Sequence, residues 1–386
     1  MTVPAGWPED ARHRMRDAVV RAGMLSPNNQ PTFTFLSEPE AALIALLSSG
    51  GARTAQPEEG NLVVICDCGG GTIDSIVYEV LSTSPLAVRE CTLAVCRFGG
   101  AMIMDEAFLE LLKTKVRASC PPQTFDRIAE SEFEQFAERH LSRDLKHNYS
   151  GGSWSFPSSD GLRDEISQVF HPAMSNVLDL IRSQISTTEK VMGRVPEYVL
   201  LAGGFEGNSY LQTVLSDNIP MPTRVIWPQG SEEWTSVCRG ATMHAIRKHS
   251  PHPGNNIVEI QSRIARASYG ILNEVDATVT WLVQKGQNLP AHGVDLSPNQ
   301  FSRVRTPNGN ILSIDIYRQR SLHEQPHLLC RIKWAITNVL WTLISTLDIA
   351  NTVQLEITCS AESADFAISF NGERQGPEKV TVDYGY

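Results

Sequence analysis

Long apolar runs are missing from this sequence. Its most apolar stretch, Ala335 to Leu347, is broken by Asn338 and several hydroxyl side chains and falls short of the about 20 residues that a bilayer crossing needs. The start shows no basic segment leading into an apolar core and a small-residue cleavage site, which predicts a soluble, cytoplasmic chain without a secretory signal. Basic charge is short as well: 33 Lys plus Arg face 43 Asp plus Glu, for a net charge of -10, so neither nucleic acid nor an anionic membrane surface is an expected partner. Eight cysteines are present, but no second pair answers the Cys66/Cys68 spacing, which excludes a zinc site built on it. They are expected as structural thiols in a reducing compartment, where the sequon Asn148-Tyr149-Ser150 stays unused. What remains is ample: 386 residues with 41% hydrophobic content suffice for two or three domains around a large core.

The opening residues Met1 to Trp7 look like the end of a strand, punctuated by Pro4 and Pro8, and an amphipathic helix follows from Glu9 to Ala22, closed by Gly23. A short strand at Thr34 to Leu36 leads to a helix from Glu40 to Leu47, with Pro39 suited to its first turn, and then to a small-residue linker from Ser48 to Gly60. Leu62 to Cys66 is a continuous apolar run, the mark of a strand buried on both faces; three glycines separate it from a second strand, Ile73 to Val80. Val88 to Cys96 extends the sheet, and Phe98-Gly99-Gly100 turns the chain into a helix from Met102 to Val116. A polar helical region, Asp126 to His147, and the Ser/Gly-rich loop Ser150 to Ser159 suggest a subdomain inserted over residues 101–160. Gly161 to Ser186 carries Ile166, Phe170, Val177, Ile181 and Ile185 on one helical face, with Pro172 as an expected kink. Tyr198 to Ala202 is another buried strand, followed by helices at Tyr210 to Leu215 and Val237 to Lys248. The turn-rich segment His249 to Gly254 marks a domain boundary. Beyond it, strand-like pieces at Val279 to Val283, Leu312 to Tyr317, Thr352 to Thr358, Phe366 to Phe370 and Val380 to Tyr384 predict a small β-rich domain over residues 255–386. Arg331 to Leu347 stays open between a strand run and a buried helix.

Three segments carry the chemistry. In Asp67-Cys68-Gly69-Gly70-Gly71-Thr72-Ile73-Asp74 the glycines let backbone N–H groups turn toward one anion, while Asp67 and Asp74 bracket the turn and suit a hydrated cation. No Gly-Lys-Ser/Thr follows and a strand rather than a helix comes next, so this is neither a P-loop nor a dinucleotide fingerprint; an ordinary glycine-rich hairpin is the competing explanation. In Tyr198 to Leu211 a buried strand feeds Gly203-Gly204-Phe205 and then a helix, which lets a base or ribose lie on bare backbone, or serves tight packing only. In Ser37-Glu38-Pro39-Glu40, Glu38 sits between a strand and an alanine-rich helix, where it orients a water or simply complements the helix dipole.

Taken in order, Thr2-Val3-Pro4-Ala5, then Glu38-Pro39-Glu40-Ala41-Ala42, Asp67 to Asp74, Phe98-Gly99-Gly100, Leu201 to Phe205 and Arg239-Gly240-Ala241 resemble the ATPase of the 70-kDa heat-shock (DnaK-type) family over residues 1 to about 250. The resemblance implies an actin-like, ribonuclease H-like α/β fold in two lobes, with residues 1–50 the remainder of lobe I and residues 51–250 lobe II. It implies ATP or ADP with Mg2+ as ligands and hydrolysis of ATP to ADP and phosphate. Asp67 would act on magnesium through water, Glu38 on the attacking water and Asp74 on the cation network. Gly69, Gly70, Gly71 and Thr72 would hold phosphate, Gly203, Gly204 and Phe205 would flank the adenosine, and Arg143 and Lys146, on the helix from Glu134, are either the adenine clamp, at a spacing that departs from the family's, or part of a solvated helix face. Tyr269-Gly270-Ile271 and Trp281 to Gln287 resemble a divergent branch with an altered C-terminal region, which would offer a surface to a protein client.

In one respect the pattern departs from the family. Its first phosphate hairpin lies ahead of the Thr-Val-Pro-Ala strand, at which this sequence starts, so a truncated copy with weak or no ATPase is expected. The competing expectation is a non-catalytic interaction or scaffolding module on the same fold.

Overall fold

The computed structural model describes residues 1–7, 9–24, 34–48, 57–146, 149, 163–205, 207–228, 235–250, 257–273, 278–296, 302–306, 309–336, 353–359, 364–370, 373–375 and 380–383. The chain divides into two compact units, Met1–Glu259 and Ile260–Tyr386.

The first unit is mixed α/β. Strand β1 (Thr2–Val3) pairs in parallel with β2 (Leu36–Ser37), and helix α1 (Glu9–Arg21) lies between them in sequence. Helix α2 (Glu38–Ser48) starts directly after β2, and Pro39 through Leu46 are all buried, which is what a helix apolar on every side requires. The main sheet is built on β3 (Leu62–Cys68), which pairs antiparallel with β4 (Thr72–Thr83) across the glycine turn and in parallel with β7 (Tyr198–Ala202) on its other edge. Beyond β7 lies β8 (Arg224–Ile226), also parallel. The expected single strand Val88 to Cys96 is two: β5 (Leu86–Glu90) pairs with the far half of β4 and β6 (Val95–Phe98) with its near half, and both are antiparallel to it. The reason for the break is that residues 91–94 leave the sheet, so that the chain can change its pairing site along β4.

Every residue of β3 is buried. Strand alternation divides them: Leu62, Val64, Cys66 and Cys68 face a core shared with α3 (Met102–Ser119), α6 (Arg163–Met192) and α7 (Ser209–Asn218), while Val63, Ile65 and Asp67 point to the opposite face, where α2 packs. Between α3 and α6 come the short α4 (Pro122–Phe125), α5 (Glu130–Ala137) and a π-helical stretch, Glu138–Leu145. Pro172 lies inside the continuous α6. The last helix, α8 (Ser236–His249), packs on α2; at their crossing a Cβ on Gly240 would stand 1.7 Å from the Ala41 carbonyl oxygen. Seven of the eight cysteines are free thiols, and Cys359 has its side chain outside the described residues.

The second unit is all β. One sheet runs β11 (Thr278–Val283), β10 (Ser268–Asn273), β15 (Gly309–Gln319), β16 (His327–Ile336), β20 (Val380–Asp383), with β14 (Ser302–Thr306) also on β15. A second runs β13 (Val294–Leu296), β17 (Val353–Cys359), β18 (Ala364–Phe370), β19 (Glu373–Arg374); β9 (Glu259–Ile264) pairs with β12 (Asn288–Pro290). The two sheets share one core, bridged by the Tyr269–Phe366 and Trp334–Phe370 ring contacts. The segment left open between strand and helix is strand as far as Ile336, and 337–347 lies outside the described residues. Among the described residues, no helix is long and apolar enough to cross a membrane.

Candidate functional site

The glycine turn between β3 and β4 is shaped by what its carbonyls do. Gly69 O accepts from Ala101 N–H at 3.1 Å, Gly70 O from Met102 N–H at 2.9 Å, and Gly71 O from Gly99 N–H at 2.9 Å. In a trans peptide the carbonyl of one residue and the N–H of the next point in opposite directions. Three consecutive carbonyls engaged by residues 99–102, the turn leading into α3, therefore turn the N–H groups of Gly70, Gly71 and Thr72 the other way, and among the described residues neither the Gly70 nor the Gly71 N–H has a protein acceptor. Both glycines are exposed. Outward-facing consecutive amides of this kind form an anion nest. The close approach needs glycine on the supporting side as well: a Cβ on Gly100 would stand 2.2 Å from Gly69 O, and Gly99 adopts φ +105°.

Asp67 and Asp74 face each other directly in the β3–β4 register, so their side chains share one face of the hairpin. Glu38, the first residue of α2, is close enough to act electrostatically on both. Burial and then Asp74 push the Glu38 carboxyl up to about 7. Burial, then Glu38 and Asp74, push Asp67 up to about 8. Burial raises Asp74 also, but hydrogen bonds from Cys96, Thr72 and the Ala5 and Gly6 amides work against it; the Ala5 N–H donates to Oδ1 at 2.7 Å. Asp74 is thus the member of the trio best equipped to carry charge, and three carboxyls here resist ionising together.

The second turn closes over the first. A Cβ on Gly203, at φ +92°, would stand 2.4 Å from Asp67 Oδ1 and 2.6 Å from Cys68 O, whereas one on Gly204 would meet nothing within 4 Å. Gly203 is therefore packed against the carboxylates and Gly204 is open backbone beside them. Phe205 donates its N–H to Cys68 O at 3.1 Å and has its ring in the core, 4% exposed. Lys146 Nζ is bound to Asp105 at 2.6 Å, and the Arg143 side chain lies outside the described residues. The structure thus gathers Glu38, Asp67, Gly69, Gly70, Gly71, Thr72, Asp74, Gly203 and Gly204, and leaves Phe205 and Lys146 engaged elsewhere.

Sequence reasoning missed the groups that hold Asp74. Cys96 lies opposite Asp74 in the β4–β6 register, and a Cβ on Gly6 would stand 2.4 Å from Cys96 Cβ, so the Ala5-Gly6 turn, the thiol and the carboxylate form one packed contact. The only hint in the sequence is a pair of small residues after Pro4.

No family model matches the chain. It is similar to the mouse (Mus musculus) Heat shock 70 kDa protein 12A, with 22% identity over 328 residues, covering 64% of this chain and 48% of that protein. It is equally similar to the human (Homo sapiens) protein of the same name, 22% identical over 329 residues with the same coverage. The chain spans about half the length of these relatives. The likeness supports a distant relationship to the 70-kDa heat-shock proteins and their actin-like ATPase fold, with which the mixed α/β first unit is consistent.

Proposed function

We propose that the first unit is a nucleotide-binding body of the heat-shock-70, actin-like ATPase kind, in which the Gly69–Thr72 hairpin holds the phosphates of ATP or ADP beside a hydrated Mg2+. One observation carries this reading: the outward-facing amides of the glycine turn lie next to three converging carboxyl groups, so an anion nest and a cation site share one wall. The donors are carboxylate oxygens, as a hard cation requires. In this reading Asp67 and Asp74 hold the cation through its water shell.

Bound Mg2+ would neutralise charge on the phosphate oxygens. The chain's own groups do the rest. The Gly70, Gly71 and Thr72 amides orient the phosphates, and Gly204 offers bare backbone to the nucleoside. Glu38, with its carboxyl raised toward neutrality, is placed to accept a proton from water attacking the terminal phosphate; the reaction is ATP to ADP and phosphate. In this reading β1, β2, α1 and α2 belong to lobe I, and the sheet built on β3 is lobe II. A chaperone-like role follows, with the second unit as the surface for a protein client. One finding favours a non-catalytic scaffold instead: Lys146 and Phe205, both expected at the nucleoside, are held by Asp105 and by the core.

Calorimetric titration separates the two. Mg2+-ADP is expected to give a saturable heat with the intact chain that disappears when EDTA replaces the metal. No heat with a folded chain overturns the nucleotide reading and leaves the scaffold.

A further inference from the structure

Asn208 follows the Gly203–Gly204 turn and is 2% exposed. Its Oδ1 accepts the Leu211 N–H at 2.9 Å, capping α7, and its Nδ2 donates to the Lys146 carbonyl at 2.6 Å, at the end of the π-helical stretch. The two contacts fix the orientation of the amide, because only the oxygen can accept from Leu211. Each satisfies a helix-terminal backbone group that has no partner within its own helix. A second link runs alongside, from Ser209 Oγ to Tyr149 O at 3.4 Å. The turn that presses on Asp67 is therefore tied, through one buried side chain, to the 138–146 arm, which itself is anchored to α3 by the Lys146–Asp105 pair.

We infer that Asn208 is a positioning residue for the nucleoside half of the ligand. The inference rests on the nucleotide reading above. With phosphates on the Gly70 and Gly71 amides, the rest of the molecule must leave the carboxylate wall, and the open surface beside that wall is Gly204, four residues before Asn208. Asn208 holds the start of α7, and with it the chain that leaves this turn, against the end of the 138–146 arm. The Asn208 side chain is spent on Leu211 and Lys146 rather than on the glycine hairpin or the carboxylates, so its loss is expected to act on the nucleoside more than on the phosphates.

The test uses two ligands and two variants on the full chain. Asn208→Asp keeps an acceptor for Leu211 but sets a carboxylate against the Lys146 carbonyl. Asn208→Ser keeps a cap but is too short to reach across, and it adds no charge. In both, Mg2+-ADP is expected to bind about tenfold more weakly, the scale of one lost buried hydrogen bond, while Mg2+-pyrophosphate binds as in the parent chain. A purely structural role would weaken both ligands together. If the parent chain binds both ligands and the variants lose both equally, or lose neither, the Asn208 inference is overturned and the phosphate site stands. If the parent chain binds neither ligand, the nucleotide reading falls and this inference falls with it.

Discussion

Replacing Asp67 by asparagine is expected to make the ligand-free chain more stable above pH 8 and, in the same step, to abolish its response to Mg2+-ADP. Asp67 is 5% exposed, and its carboxyl is raised from 3.8 to about 8, by burial first and then by Glu38 and Asp74. The folded state therefore holds this proton more tightly than the unfolded chain does. For a group raised on folding, the favourable contribution is complete below the unfolded value, here near pH 4, and is lost as pH rises through about 8. Glu38, raised from 4.5 to about 7, works in the same direction. Asparagine has no proton to lose, so the variant should lack the Asp67 part of this decline and keep the part due to Glu38. The gain at pH 9 is on the order of a few kcal/mol, and equilibrium urea unfolding at pH 5 and pH 9 measures it. An Asp67 held as a structural anion would give the opposite sign: loss of stability on substitution, growing with pH. A substitution that stabilises the empty protein while removing its ligand response is the signature of a site whose charges are kept for binding.

Gly240→Ala is expected to destabilise the first unit by about 3 kcal/mol or more. Helix propensity alone predicts the reverse, a gain of about 1 kcal/mol for alanine over glycine inside a helix. The contact decides. A Cβ at Gly240 would stand 1.7 Å from Ala41 O and 2.5 Å from its carbonyl carbon. These are backbone atoms of α2, which is buried through Leu46, so α8 must move away rather than a side chain turn aside. Because Glu38 begins the same helix, the shift also reaches the carboxylate cluster. Thermal unfolding followed by circular dichroism should show the midpoint fall by roughly 5–10 °C. An unchanged or raised midpoint would mean that the helices are not in backbone contact.

These two positions also show what the sequence could and could not reveal. The β3 run and the three glycines were legible because a strand buried on both faces and a turn that needs free backbone rotation each have a local signature. The pairing of Asp67 with Asp74 followed from hairpin geometry. Where a strand pairs with distant chain, local signals fail: the break between β5 and β6, the Cys96 thiol opposite Asp74 and the Ala5 amide on its carboxylate all depend on register. The burial of the Phe205 ring is a non-local outcome of the same kind: its N–H bonds to Cys68 O and its ring lies in the core. The segment from Arg331 was undecided because an unbroken apolar run suits a strand or a buried helix; its partners β15 and β20 make it strand.

Selective 15N-glycine labelling with titration of Mg2+-ADP tests the central claim most directly, because it watches the proposed phosphate ligands themselves. The Gly70 and Gly71 amide resonances, assigned by their loss in Gly70→Ala and Gly71→Ala, should move in a saturable way with Mg2+-ADP and with Mg2+-pyrophosphate. Both should return when the metal is chelated. Saturable shifts confined to other glycines, or none anywhere in the chain, would contradict a phosphate site on this hairpin.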